Sequence, residues 1–231
     1  MNPLSQLYNL VVEAFRLGLD AIFGFTGNYA LAIIVLTVVF NLLFTPFRIK
    51  QTRTTKLQKL LQPKIDAINK KYKDDKEKAS KETMELWNKY NFNPLAGCGS
   101  SLLQLPLFFA ILEVFRNLEF PEGAASAFMW IENISLSEPA FLGISLMNFD
   151  LKILPLLAGA AFYAQSQLMG TTGDKNTQLM MSMMPLMMVA ICWGQPASLS
   201  IYWTTSQLVN AIQQAIMQQR ITVEVDAADL V

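Results

Sequence analysis

The sequence predicts an all-α membrane protein with five transmembrane helices, an N-terminal interfacial amphipathic helix and a cytoplasmic helical hairpin. Hydrophobic residues make up 52% of the 231 residues, charged residues make up only 16%, and the mean hydropathy is +0.31. Soluble domains typically carry about 25% charged residues. Five apolar runs approach the roughly 20 residues that a helix needs to cross a bilayer. Most basic residues fall in one stretch between the first two runs.

The apolar runs set the predicted spans. We predict transmembrane helices over residues 28–50, 97–117, 151–170, 178–194 and 195–218. The last two are separated by Gly194-Gln195-Pro196, a sequence that interrupts helices. The second and third runs are short for a hydrocarbon layer about 30 Å thick, so we expect flanking residues to extend them or the bilayer to be thinned there.

The N-terminal segment, residues 1–27, is apolar but carries one polar stripe. Asn9, Glu13, Arg16 and Asp20 recur at intervals of four, three and four, which places them on one face of a helix. Unpaired charges at bilayer depth cost several kcal/mol, so we predict an interfacial helix rather than a sixth span. The segment lacks the features of a signal peptide.

The distribution of charge predicts the orientation of the chain. Of the 18 Lys and Arg residues, 13 fall between Arg48 and Lys89, and loops rich in these residues stay in the cytoplasm. Residues 51–96 are therefore predicted to be cytoplasmic, as are the connection 171–177 and the tail 219–231. The N-terminus is then outside, and the loop 118–150, which has acidic residues but no Lys or Arg, is extracytoplasmic.

Little in the composition supports metal or thiol chemistry. The chain has no His, and its two cysteines, Cys98 and Cys192, are far apart in sequence. We therefore predict no metal site, no cofactor and no structural disulfide. No phosphate-binding loop or catalytic nucleophile is apparent, so the protein is not predicted to be an enzyme.

The basic loop 51–96 has the pattern of a helical hairpin. Apolar residues recur at helical spacing on both sides of the turn sequence Tyr72-Lys73-Asp74-Asp75. Its basic side chains are candidates for contact with anionic lipid, ribosomal RNA or acidic partner surfaces. The alternative is a solvated face that only fixes topology. The candidate contact residues are Lys56, Lys59, Lys64, Lys70 and Lys71.

Three separated motifs resemble one family. They are LQPKIDAINKKY at 61–72, NPLAGCGSSLLQLPLFFAIL at 93–112 and SLSIYWTTSQLVNAIQQAIM at 198–217. In this order they resemble the YidC insertases of the YidC/Oxa/Alb family. The resemblance implies a membrane protein insertase in the bacterial inner (plasma) membrane, with five core helices around a polar groove open to cytoplasm and lipid. Its implied partners are nascent membrane proteins and the lipid bilayer, with the ribosome and the Sec translocon as further candidates.

Polar residues inside the predicted spans mark the same groove. Polar side chains at membrane depth usually face protein or water. Hydrogen bonding between helices would explain two or three of them, whereas a larger number favours a water-filled cavity. The candidates are Thr37, Asn41, Thr45, Gln104, Ser206 and Asn210. The resemblance adds Tyr202 and Trp203 beside the substrate path, although an interfacial aromatic belt is the alternative.

Asn41 departs from the family pattern. The family usually carries a basic residue five positions before the proline of this helix, which here is Pro46. An amide should still hold water but attract acidic substrate residues less strongly. Arg48, seven residues on, is predicted to supply positive charge at the mouth of the groove.

Two other functions remain open from the sequence. One is an assembly chaperone that holds subunits of membrane complexes together, and the other is a small-solute channel or transporter. No internal repeat of the kind common in transporters is apparent. The chain ends in the acidic TVEVDAADLV, so any ribosome contact is expected through the basic hairpin.

Overall fold

A computed structural model describes residues 3–92, 111–115, 123, 125–146, 149–169 and 175–223. The described helices are α1 (Pro3–Thr26), α2 (Tyr29–Leu43), α3 (Thr45–Lys71), α4 (Lys76–Lys89), α5 (residues 111–115), α6 (Ile153–Met169), α7 (Lys175–Trp193) and α8 (Ala197–Arg220). The predicted second span 97–117, including Gln104, lies outside the described residues except for residues 111–115. Cys98 and the tail beyond residue 223 also lie outside the described residues.

Helix α1 follows the predicted amphipathic pattern. All four residues of the polar stripe are exposed, whereas Phe15 and Leu19 are buried against the rest of the protein. The helix ends before Gly27, whose φ of 64° suits glycine in this turn. Asn28 then begins α2, because its side chain accepts a hydrogen bond from the Leu31 N–H.

The predicted span 28–50 is two helices rather than one. Helices α2 and α3 are bent by 58° at Phe44. Pro46 lies in the first turn of α3 and has no N–H to donate to the carbonyl of Leu42 four residues earlier, which favours a break here. The hairpin helix therefore begins at Thr45 instead of near residue 51.

Helices α3 and α4 form the hairpin that the sequence pattern predicts. They are joined by Tyr72–Asp75, and the Asp75 side chain caps α4 by accepting from the Lys78 N–H. The Tyr72 hydroxyl also donates to the Glu82 carboxylate. The buried residues between the two helices are Leu61, Ile68, Ala79 and Leu86.

Helix α8 lies at the centre of the bundle. It packs against α2, α3 and α6, and α6 also packs against α7. The α6–α7 contact is close: a Cβ on Gly159 would lie 2.3 Å from the Val189 side chain. The apolar core sits around the first turns of α8 and includes residues from α1, α2 and α5.

Residues 125–152, called here the covering segment, contact several helix ends on one side of the bundle. The carbonyl of Ala125 accepts from the first residue of α2, and the carbonyls of Ile134 and Leu136 accept from Ser198 and Ala197 at the start of α8. The segment contains a 3₁₀ turn, Phe141–Gly143, and an antiparallel pair of two-residue strands, Ser145–Leu146 and Phe149–Asp150. These short strands depart from the predicted all-α fold.

Within the described part of the chain, no helix taken alone has both the length and the apolar character required to cross a bilayer. Helices α2 and α3, taken together across their bend, satisfy both measures.

Candidate functional site: a buried polar seam

One face of α8 buries polar side chains in the middle of the bundle. Ser206, Asn210, Gln213 and Gln214 are each at most 8% exposed, although α8 begins in an apolar core. They recur at helical spacing, so they project toward the same neighbours. Together with the residues of α2 and α3 that meet them, they form what we call the polar seam.

The predicted trio faces α8 across the seam: Thr37 and Asn41 lie on α2, and Thr45 is the first residue of α3. Asn41 is 5% exposed, and its Nδ2 donates to the Thr37 carbonyl at 2.7 Å and lies 3.5 Å from the Ser206 hydroxyl. The Thr37 hydroxyl donates to the carbonyl of Ile33 within its own helix. The structure therefore brings three of the predicted residues, together with Ser206, to one place.

Arg48, which is predicted to lie at the groove mouth, contacts Asn41 in the seam. Its Nη2 donates to Asn41 Oδ1 at 3.1 Å, and the residue is only partly exposed. The bend at Phe44 lets a side chain from α3 fold back toward α2. A positive charge consequently lies beside Asn41, where this sequence has an uncharged residue in place of the basic residue expected from the resemblance.

Gln213 and Gln214 also belong to the site; the sequence shows both as polar residues of the last predicted span, although the candidate groove residues above do not include them. Gln213 Nε2 donates to the Asn41 carbonyl at 3.3 Å and to the Thr45 hydroxyl at 3.0 Å. Gln214 Oε1 accepts from the Thr52 hydroxyl at 3.1 Å. Both glutamines are in the polar run at the end of α8, and Thr52 is four residues after Arg48, so helical spacing was the available signal.

Several polar atoms of this region have no hydrogen-bond partner in the protein. Among the described residues, nine buried side-chain atoms lack a partner, and five of them belong to Arg48 or to α8 amides. They are Arg48 Nε, Gln207 Oε1, Asn210 Oδ1, Gln213 Oε1 and Gln214 Nε2. Each unpaired buried group costs about 1–3 kcal/mol, so their concentration marks a place built to pair with something else.

The aromatic pair of α8 has a different environment. Tyr202 is buried and makes an edge contact with the ring of Phe15 and a tilted contact with the ring of Phe115. Trp203 is partly buried against the same apolar core. Tyr202 therefore packs with α1 and α5, one turn before Ser206, and Trp203 packs against the same core.

The predicted contact lysines of the hairpin divide into two groups. Lys56 Nζ donates to the carbonyls of Gln218 and Ile221 at the end of α8, and Lys59 Nζ lies 3.4 Å from the Leu168 carbonyl at the end of α6. Burial and the neighbouring charge of Lys56 lower the pKa of Lys59. These two lysines face the protein itself because helix carboxyl ends attract cations.

The remaining three lysines lie nearer the tip of the hairpin. Lys64 is half-buried, and Lys70 and Lys71 are exposed. Hydrogen bonding to Tyr72 raises the pKa of Lys71. Of the five predicted contact residues, Lys70 and Lys71 are therefore the most accessible to a partner.

The fold and the seam define a helical bundle with a polar interior, and the comparisons with known proteins specify its class. The family model described as 60Kd inner membrane protein matches residues 21–224. The chain therefore belongs to this family of inner membrane proteins, whose curated relatives are named membrane protein insertase YidC.

Two relatives are similar to the chain over most of its length. The one from Fusobacterium nucleatum subsp. nucleatum is 34% identical over 217 residues, which cover 94% of this chain and 99% of the relative. The one from Clostridium perfringens is 32% identical over 225 residues, which cover 92% of this chain and 89% of the relative. Other relatives are longer: the chain covers 38% of the one from Bradyrhizobium diazoefficiens, at 31% identity.

A solved structure shares the fold. It is a crystal structure of an active YidC insertase with its first transmembrane domain resolved, and it matches with a TM-score of 0.64 at 24% sequence identity. The match covers 96% of this chain and 48% of that one.

Proposed function

We propose that this protein is a membrane protein insertase of the bacterial inner membrane. It receives hydrophilic segments of nascent membrane proteins in the polar seam and releases their apolar helices into the bilayer without nucleotide hydrolysis. The proposal includes the predicted five transmembrane helices, with the N-terminus outside and the C-terminus in the cytoplasm. Family membership supports it, and so does the site described above.

The observation that carries the proposal is the group of unpaired polar atoms around Arg48 and Asn41. These atoms require water or a polar substrate as partners. A polar segment of a substrate that finds partners partway across the bilayer has a shorter low-dielectric path to cover, and the barrier to its passage falls.

The apolar exterior of the bundle supports the release step. On α2, Val35, Val39 and Leu42 are 41%, 53% and 56% exposed, on the side away from Asn41. Such a surface is suited to lipid, so a substrate helix leaving the seam would enter an apolar environment. Transfer of its apolar surface out of water is favourable and supplies the driving force.

The charge of Arg48 supports a preference for acidic segments. Its guanidinium lies against Asn41, so it can offer positive charge where the family usually has its basic residue. In a partly buried site, a hydrogen bond to a charged group contributes about 1.5–3 kcal/mol. Arg48 therefore supplies, from α3, the positive charge that Asn41 lacks on α2.

The experiment uses proteoliposomes that contain only this protein and a short single-span substrate, with protease protection of the translocated tail as the readout. We expect protection of both acidic and neutral tails. Arg48→Gln should slow insertion of an acidic tail about tenfold and that of a neutral tail less than twofold, because one charged hydrogen bond is lost. Asn41→Arg serves as the matched variant that restores the charge on α2.

Different outcomes separate the alternatives. Equal slowing of both tails by Arg48→Gln would contradict the electrostatic role. Stable complexes with the substrate without any protected tail would instead indicate an assembly chaperone. Ion flux through the purified protein would favour a channel.

The exposed end of the hairpin is the proposed contact for cytoplasmic partners. Lys70 and Lys71 are exposed near the turn, and their charge suits an acidic surface such as the ribosome. Contact with the Sec translocon is a further proposal that rests on family membership.

A further inference from the structure

Four amide side chains of α8 form a row with free hydrogen-bonding atoms. They are Gln207, Asn210, Gln213 and Gln214, and we call them the amide row. We infer that the amide row binds the peptide backbone of the substrate's polar segment. This inference rests on the proposed function, and it adds the chemical group that the seam recognises.

The geometry of the row fits an extended chain. Positions 207, 210, 213 and 214 lie within a third of the helix circumference, and the first and last are about 10 Å apart along the axis. An extended chain advances about 3.3 Å per residue, so the row spans about three substrate residues. Several consecutive peptide groups can therefore meet it at once.

The free atoms of the row match the hydrogen-bonding capacity of a peptide group. Gln207, Asn210 and Gln213 each present an unpaired oxygen acceptor, and Gln214 presents an unpaired nitrogen donor. A peptide unit offers one N–H donor and one C=O acceptor. Three acceptor oxygens do not suit a carboxylate, which offers no donor. The amide row therefore binds the peptide backbone, whereas Arg48 interacts with charged side chains of the substrate.

The amides at the end of the row are held in place by their other atoms. Gln213 donates to Asn41 and Thr45, and Gln214 accepts from Thr52, so each side chain has one paired end and one free end. Side chains oriented in advance lose less conformational entropy on binding. Because the free atoms are covered in this structure, a substrate reaches them only when neighbouring helices separate.

Backbone recognition would explain how one site accepts many substrates. Every polar segment has the same peptide groups whatever its side chains. Contacts to side chains would restrict the site to particular sequences, whereas contacts to the backbone would not. The seam then combines a general interaction along α8 with a charge-dependent one at Arg48.

The test compares two synthetic single-span substrates with neutral tails, one rich in glycine and one with sarcosine at the same positions. Sarcosine adds an N-methyl group, which removes the N–H donor and keeps the charge at zero. The loss of one to two hydrogen bonds should slow insertion by the unaltered protein about threefold to tenfold. N-methylation lowers the cost of entering lipid, so protein-free liposomes should show no such slowing.

Variants of the row provide the second measurement. In the double variant Gln207→Leu with Asn210→Leu, we expect glycine tails to insert more slowly and the difference between glycine and sarcosine tails to fall below twofold. Gln219→Met, which changes an exposed amide of the same helix, should keep the original ratio. The variant proteins should melt no lower than the unaltered protein, because the side-chain oxygens of Gln207 and Asn210 make no hydrogen bond within the fold.

Equal insertion of glycine and sarcosine tails by the unaltered protein would overturn the inference. So would an unchanged ratio in the double variant, or a ratio altered equally by Gln219→Met. A lower melting temperature of the double variant would indicate a structural role and would also count against it. Failure of the proposed function differs from all of these, because then no tail of either kind is protected.

Discussion

The covering segment and the polar seam both bury polar side chains, but they differ in how many of the buried polar atoms have hydrogen-bond partners. In the covering segment, Glu138 is only 2% exposed, and its two oxygens accept three hydrogen bonds. The donors are the Trp130 indole at 3.0 Å and the backbone N–H groups of Ile153 and Leu154 at 2.9 Å. This carboxylate therefore caps the start of α6.

Lys152 is buried at the same end and is also paired. Its Nζ donates to the Trp193 carbonyl at the end of α7 at 2.7 Å and to the Ser137 hydroxyl at 3.2 Å. Among the described residues at this end, the buried side-chain atoms without a partner are the hydroxyls of Ser135 and Ser198. In the seam, by contrast, a guanidinium nitrogen and four amides have free atoms. The paired polar groups join helix ends, whereas the unpaired ones are the atoms proposed above to bind substrate.

Glu138 provides the strongest test of this comparison. Glu138→Ala leaves two backbone N–H groups of α6 and the Trp130 indole without their acceptor. At about 1–3 kcal/mol for each of the three buried donors left without an acceptor, we expect the free energy of unfolding in detergent to fall by about 3–9 kcal/mol. Glu138→Gln keeps one oxygen acceptor and should lose less. A loss below about 1 kcal/mol would show that pairing at this end is not structural.

Lys56 tests the contact between the hairpin and the bundle. Lys56→Met removes two hydrogen bonds to carbonyls at the end of α8, so we expect the free energy of unfolding to fall by about 1–2 kcal/mol. Lys70→Met, at an exposed position of the same helix, should change it by no more than about 0.5 kcal/mol. Equal effects of the two variants would mean that Lys56 does not stabilise this contact.

Thr204 and Asn210 compare a paired and an unpaired polar residue on one helix. The Thr204 hydroxyl donates to the Leu154 carbonyl at 3.1 Å, so Thr204→Val should lower the free energy of unfolding by about 1 kcal/mol. Asn210→Leu should leave it unchanged or raise it, because its oxygen has no partner to lose. Thermal melting of both variants in the same detergent measures the difference. Similar losses of stability in both variants would contradict the distinction between paired and unpaired polar groups.

The local parts of the structure were predictable from the sequence. The hairpin core of Leu61, Ile68, Ala79 and Leu86 follows from apolar spacing, and the shared face of Thr37, Asn41 and Thr45 follows from spacing by four. Both depend on residues near one another in the chain. Three motifs and the pattern of apolar runs were also sufficient to indicate the family.

The contacts between helices were not predictable in the same way. The sequence predicted Arg48 at the groove mouth and Lys56 and Lys59 as contacts for partners. A sequence pattern shows which face of a helix a residue occupies, but it does not show which residues of the same protein meet that face. The bend at Phe44 turns Arg48 toward Asn41, and the packing of α3 on α8 brings Lys56 to Ile221.

The sequence by itself determined the helical composition, the basic hairpin and the polar character of α2 and α8, because periodicity and composition act over a few turns of chain. The tertiary structure alone decided which polar atoms are paired. Glu138 accepts from two N–H groups at the start of α6 that are 15 and 16 positions away, and Lys152 donates to the Trp193 carbonyl 41 positions away. The free atoms of the amide row have no such partner. Hydrogen-bond satisfaction depends on distances of about 3 Å between helices, and that information exists only once the chain has folded.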